Sequence, residues 1–505
     1  MTIQRPVARP GFVHETNERT PDLAVHTGSG VLTQRFPVGT TVVYAAEPTV
    51  PSLAVRPALR EALAQPLDGA PLAERLQAGM SLTIVFGDTT AAVPTVSGTD
   101  PRGQAVEEVL TLAAAAGVDD VALVCARGLQ RRLSDDELLA ALGRRVHESF
   151  APLGQISQHD AEAEDLVTVD GIAVNRRVAE SDLVVTVQAT DARNRTGAHL
   201  LVELASVADL AAVRGAGRAD TAEAELGERL AAALPVFAVE VALDTHPFAP
   251  QLGFLSRREW EWGPKEKLTA RGLRQADRVL PVRARARLMQ QAETEAAALT
   301  VSAGSPLEVG RHTADTLLAR QRVIVGHRVN TLVTGLPHVS PYGVGAWLNP
   351  LLAAHLALAE ADRSHTGTPL LNDGGSLIVF GGAEPRYHHH HSATADFVTE
   401  VLSGEGSDLA TAEQRFASDD WYRHLYRHGQ AHHALQPFHL WYETAPARER
   451  LSSIIWVGGD RATCAAMGFR AATTLADALE MVDDRDSLGY LHNPPLPIVD
   501  LAGER

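Results

Sequence analysis

The sequence predicts an α/β protein of two doubly wound domains, and three observations carry that expectation. Its 505 residues exceed what one hydrophobic core organises. β-Branched apolar runs closed by Gly or Asp alternate with helical runs, the pattern of parallel sheets wrapped on both faces. That alternation occurs twice, on either side of the polar, Pro-containing stretch Glu259–Lys267 (EWEWGPKEK), which reads as an interdomain crossing.

The elements follow in order. Ser81–Phe86 is a buried strand ending in the loop Gly87-Asp88. Val106–Ala116 has helical spacing and stops at Gly117. Val121–Cys125 is a second strand, followed by Ala126-Arg127-Gly128. Ser134-Asp135-Asp136-Glu137 opens a helix with capping-box chemistry, and that helix runs to Gly143. Leu183–Val187 is a third strand. Beyond the crossing, an Arg/Ala/Glu-rich run from Val282 to about Leu299 reads as helix. A second alternation then continues from Leu307 to Val482. The chain divides into an N-terminal extension (1–70), an α/β domain (71–275), a second α/β domain (276–490) and a tail (491–505). Rossmann-like sheets place their sites beyond the carboxyl ends of the strands, so Gly87-Asp88 and Arg127–Arg131 are where chemistry is expected.

Composition bounds the partners. A formal net charge of -17 argues against nucleic acid or an anionic membrane, since phosphate binding needs a basic surface. The two cysteines, Cys125 and Cys464, form no disulfide framework and no CxxC site, which predicts a reducing, cytoplasmic compartment. Residues 1–18 lack an apolar core and read as neither signal peptide nor anchor, and no apolar run reaches membrane-spanning length. The basic residues are almost all arginine; the only lysines are Lys265 and Lys267.

Three stretches together resemble the nickel-pincer lactate racemase family. Ile84–Pro94 (IVFGDTTAAVP) is similar to that family's strand and Gly-Asp-x-Thr-Arg-Pro loop. Val109–Gly143 is similar to its run ending in Gly-x-His-Arg and then a Thr/Ser-x-x-Glu helix. Leu371–Phe380 (LNDGGSLIVF) and Trp456–Val482 resemble its closing elements. The resemblance implies two α/β domains with the site in the interdomain cleft, and interconversion of the enantiomers of a small 2-hydroxy acid. It implies a nickel-bearing pyridinium nucleotide tethered to a lysine, two histidines exchanging the hydroxyl proton, and an arginine on the carboxylate.

The residues keep part of that pattern. By resemblance Gly87, Asp88, Thr89 and Thr90 would hold the cofactor, although a loop Asp capping the next segment is an equal reading of Asp88. The family's arginine and proline in this loop are replaced by Ala91 and Ala92, which can neither pair with a carboxylate nor donate a hydrogen bond. Gln130 stands where the family has a histidine. It can orient a hydroxyl but has no useful pKa. Arg131 is a candidate anion contact, weighed against an ordinary helix-leading arginine. No lysine occurs before Lys265, so a covalent tether in Gln188–Leu200 (QATDARNRTGAHL) is chemically excluded. Asp191, Arg193, Arg195 and His199 form an alternative acid–base and anion-binding set there, against the plain reading of a polar loop. His338, after a strand end, is a second proton-transfer candidate.

His424, His428 and His432 stand at i, i+4 spacing and form a candidate divalent transition-metal site. The run His388–His391 reads as a solvent-facing loop. Two functions are therefore carried forward. One is a racemase or epimerase of a small carboxylate. The other is a non-racemising small-anion-binding or partner protein, or a repurposed metal-dependent enzyme, on the same scaffold. The oligomeric state is open.

Overall fold

The computed structural model describes residues 9–48, 53–87, 98–191, 197–215, 217, 221–245, 247–281, 284, 296–338, 348–362, 369–404 and 408–503. Two parallel-rich sheets organise the chain. The first has the spatial order Ile156–Gln158, Asp120–Ala126, Ser81–Gly87, Leu183–Thr190, Val236–Thr245, Ala296–Gly304, all parallel except the last. Numbered along the chain this is 3-2-1-4-5-6, the doubly wound order whose direction of winding reverses between Ser81–Gly87 and Leu183–Thr190. Ser81–Gly87 is buried at every position after Ser81, as a strand covered by helices on both faces must be. The capping box at Ser134 is present, with Glu137 reaching back to the Ser134 amide at 2.8 Å.

The second sheet has the order Phe12–Glu15, Thr41–Tyr44, Leu488–His492, Val329–Thr334, Leu371–Phe380, Ser453–Val457, Arg470–Ala472, parallel except for its first strand. Two features differ from the sequence expectation. Residues 12–15 and 41–44, within the presumed extension, are strands of this sheet, and Thr41–Tyr44 runs beside Leu488–His492. Residues 498–501, within the presumed tail, pair with Arg322–Val325. Four-residue strands are too short to show period-two alternation, which is why they escape a sequence reading.

Ala296–Gly304 is also a strand rather than the end of a helix, and it belongs to the first sheet. Its alanines favour helix intrinsically, but pairing with Val236–Thr245 decides the outcome. The crossing is anchored in the second domain. Glu259 is buried and accepts hydrogen bonds from Ala24 N (2.7 Å) and Tyr44 Oη (2.7 Å), with His492 Nε2 3.2 Å away. Among the described residues no helix is long and apolar enough to cross a membrane.

Removal of residues 1–53 is therefore expected to leave the Leu488–His492 strand edge unpaired and Glu259 without two of its donors. The truncated chain should lose the cooperative urea transition of its second domain and bind a hydrophobic dye. An unchanged transition would show that these strands contribute nothing to stability.

Candidate functional site

The carboxyl edges of the two sheets converge. Phe248, just beyond strand Val236–Thr245, stacks on His338, just beyond strand Val329–Thr334, with ring centroids 5.2 Å apart at 15°. At the reversal point of the first sheet, the Gly87 carbonyl accepts from Arg102 Nη1 at 2.6 Å, and Arg102 is held in turn by Asp100. A Cβ at Gly87 would come within 2.5 Å of a terminal methyl of Leu200, so a larger residue there requires Leu200 to shift. Asp88, Thr89, Thr90, Ala91, Ala92, Arg193 and Arg195 lie outside the described residues.

The loop Arg127–Arg131 sits at the seam between the domains. Gly128 has φ +49°, and a Cβ there would collide with Glu203 Oε2 at 1.8 Å. The loop's backbone is satisfied largely from outside. Gly128 N donates to Glu203 O (2.9 Å), Gly128 O accepts from Tyr426 Oη (2.7 Å), Leu129 O accepts from His433 N (2.8 Å), and Arg131 N donates to His432 Nδ1 (3.2 Å). Gln130 is 8% exposed, and its Oε1 has no partner among the described residues.

Arg131 does not stand free for an anion. Its Nη1 donates to Glu137 Oε2 (2.8 Å) and to the Arg132 carbonyl (2.9 Å). Burial works against the Glu137 charge, yet the Arg131 and Ser134 bonds hold that carboxyl at about 2. The expected substrate-binding arginine thus serves the helix cap, because the carboxylate that closes the capping box also faces it.

On the other side of Gly128, His199 meets two buried carboxylates. Its Nδ1 is 3.1 Å from Glu223 and its Nε2 is 3.6 Å from Glu203, while Arg214 bridges both acids. Burial opposes the Arg214 charge, but the two carboxylates raise its pKa well above the usual value. Nearby, His439 is 4% exposed with neither ring nitrogen partnered among the described residues, and burial followed by the Arg214 charge lowers it to about 3. His433 bonds Glu162 at 3.0 Å and, with Arg423, holds that acid at about 2 despite its burial.

The His424–His428–His432 metal site does not form. The helix Asp420–Arg427 ends before His428, and Gly429 turns the chain at φ +71°. His424 and His428 remain exposed, whereas His432 folds back to 4% exposure and stacks on His391 (4.5 Å, 22°). The run His388–His391 is likewise no solvent-facing loop, since His391 is 2% exposed. His338 stands apart from both groups, packed by Phe248, with burial lowering it to about 4. The structure thus brings Gln130 and Arg131 close to His199 through Glu203. It sets His338 in a separate neighbourhood.

Residues 31–192 match the family model described as the lactate racemase N-terminal domain. This segment is similar to that domain. The matched segment spans both strands of the switch point, and it ends where the Gln188–Leu200 stretch begins to leave the sheet. The whole chain is similar in fold to the lactate racemase apoprotein from Thermoanaerobacterium thermosaccharolyticum. The two are 14% identical, the match covers 95% of this chain and 100% of that one, and the TM-score is 0.59. A structural-genomics protein from Thermotoga maritima aligns at 13% identity over 91% of this chain and 100% of its own, with a TM-score of 0.47. No curated protein matches the chain.

Sequence reasoning missed Glu203, Glu223, Arg214, Tyr426 and Glu240, and it read the run that holds His391 as a solvent-facing loop. A signal existed for two of them. Glu203 and Glu240 are lone acids inside apolar runs (LLVELA and VFAVEVAL), and a charge there must be paired or neutralised. Glu240 accepts from Gly197 N at 2.5 Å, and burial raises its pKa to about 7.

Two outcomes are expected. Tyr426→Phe strands the Ala161 amide (3.0 Å) and the Gly128 carbonyl (2.7 Å), and should cost about 1–3 kcal/mol of unfolding free energy in urea titrations. For Glu240, the unfolded chain loses the proton near 4.5 and the folded one near 7, so its stabilisation is complete below 4.5 and is lost as pH rises through 7. Glu240→Gln keeps an acceptor for Gly197 and should melt higher than the parent above pH 7. A parallel pH–melting curve in the two proteins would refute the neutral carboxyl.

Proposed function

We propose that the chain is a racemase- or epimerase-type isomerase of a small 2-hydroxy acid, bound at the Gln130 loop between the two domains. One observation carries this reading above the rest. Gln130, in the frame where the family has histidine, is buried, its carbonyl oxygen has no partner among the described residues, and the backbone on either side of it is bonded by the buried His432 and His433. A substrate hydroxyl donating to Gln130 Oε1 would satisfy that oxygen. Imidazoles held uncharged by burial, such as His391 and His439, keep a lone pair that can accept a hydrogen bond from that hydroxyl. His199 and His338 were the sequence candidates for proton transfer. His199 is already engaged by Glu203 and Glu223, and His338 packs on Phe248. The carboxylate is assigned to Arg193, on sequence grounds.

The lysine-tethered nickel nucleotide that the resemblance implies does not fit this chain. Between strand Leu183–Thr190 and helix His199–Val202 there is no lysine, and the His199 ring at the head of that helix faces Glu223. No step is derived through that group.

A second reading, a small-anion binder without turnover, is supported by Gln130 standing where the family has a histidine, since an amide can orient a hydroxyl but has no useful pKa for deprotonating it. Enantiopure lactate and larger 2-hydroxy acids, followed by chiral chromatography and by calorimetry, separate the two. The isomerase reading expects loss of optical purity, reduced roughly five- to tenfold in Gln130→Ala by loss of one hydrogen bond, with an unchanged melting temperature. Binding without loss of optical purity selects the second reading, and the absence of both removes the pocket.

A further inference from the structure

The histidine run His388–His391 forms a short 3-10 turn (His389–His391) leading into the helix Ser392–Asp396. Successive rings fold over one another instead of fanning into solvent. The centroids of His388, His389 and His390 are 4.1–4.3 Å apart. One ring nitrogen from each lies within 4.8 Å of those of the other two. Three imidazole nitrogens on a tetrahedral ion, each at about 2.0–2.1 Å, are roughly 3.3 Å from one another. Small side-chain rotations close that difference, and the backbone can stay where it is.

Nitrogen availability agrees with the geometry. His390 Nδ1 is buried with no partner among the described residues. His388 Nδ1 accepts a long 3.3 Å bond from the His390 amide, a contact that an ion can replace. His389 is exposed and gives the site an opening. Behind the turn, His391 is 2% exposed with both ring nitrogens unpartnered, stacked on His432. The nearest positive group, Arg131, is paired with Glu137, which offsets its repulsion of a cation.

We propose that His388, His389 and His390 bind one divalent transition-metal ion through their imidazoles, leaving its outward side for water or a small ligand. An all-imidazole set suits zinc, cobalt or nickel ahead of magnesium or calcium. This site does not rest on the isomerase reading, although His391 adjoins both.

The experiment uses the full chain, stripped with a chelator and titrated with Co²⁺ by absorption spectroscopy and with Zn²⁺ by calorimetry. One equivalent is expected. Changes to second-shell groups alone weaken metal sites about 10–100-fold, so loss of a ligand in His389→Gln should cost at least about tenfold. His389 is exposed, so this variant should keep its fold; His388→Gln/His390→Gln then removes binding altogether. The exposed pair His424 and His428, with rings 4.0 Å apart, is the competing site. His424→Gln/His428→Gln should leave the affinity unchanged. Absence of stoichiometric binding, undiminished affinity in His389→Gln, or loss of binding in the His424/His428 variant would each overturn the proposal.

Discussion

The loop Arg127–Arg131 satisfies only the Arg127 and Arg131 carbonyls and the Gln130 amide from within, and that constraint organises the middle of the molecule. Its amides and carbonyls are answered by Glu203 from its own domain and by Tyr426, His432 and His433 from the other. Burying these groups without partners would cost more than the packing around them returns. The second domain must therefore dock here, and in one register. The interdomain ion pairs follow the same line: Arg423 and His433 meet Glu162, and Arg427 meets Asp160. Because Tyr426 and His433 each bond to two separate segments of the first domain, Gly128–Leu129 and Ala161–Glu162, the helical region 409–450 acts as a clamp on the loop.

That clamp also decides which polar atoms stay available. The guanidinium groups at the seam are spent on structure, Arg131 at a helix cap and Arg214 between two carboxylates. What remains is largely uncharged: the Gln130 carbonyl oxygen and buried imidazoles whose protonated forms are penalised by desolvation and by nearby arginines. A neutral acceptor lining beside internally compensated charge suits a ligand that brings its own hydrogen-bond donor.

Much of the architecture was legible in the sequence. Ser81–Phe86, Val121–Cys125 and Leu183–Val187 are long apolar runs with glycine or aspartate stops, and the structure has strands at each. The capping box at Ser134 was readable because its chemistry is local. Elements that depend on distant pairing were not. Thr41–Tyr44 is a strand because Leu488–His492 lies beside it, and Ala296–Gly304 is extended because Val236–Thr245 is. The histidines failed for a related reason. Spacing of four residues means one face only while the helix lasts, and the helix carrying His424 ends at Arg427. Glu203 and Glu240 announced their burial by being lone acids in apolar runs, but their partners, contributed by residues far along the chain, could not be read there.

The interleaving of the termini has a consequence for how the chain is made. The first sheet is formed by residues 81–304, as an insert between two strands that neighbour each other in the second, Thr41–Tyr44 and Leu488–His492. On a ribosome the inserted domain is complete while its host still lacks its central seam. Thr41–Tyr44, paired on one edge with Phe12–Glu15, must then wait with its other edge open through some 440 residues of synthesis before Leu488–His492 emerges. Joining ends so far apart costs loop entropy that an already folded insert has largely prepaid, by holding its own entry and exit close together.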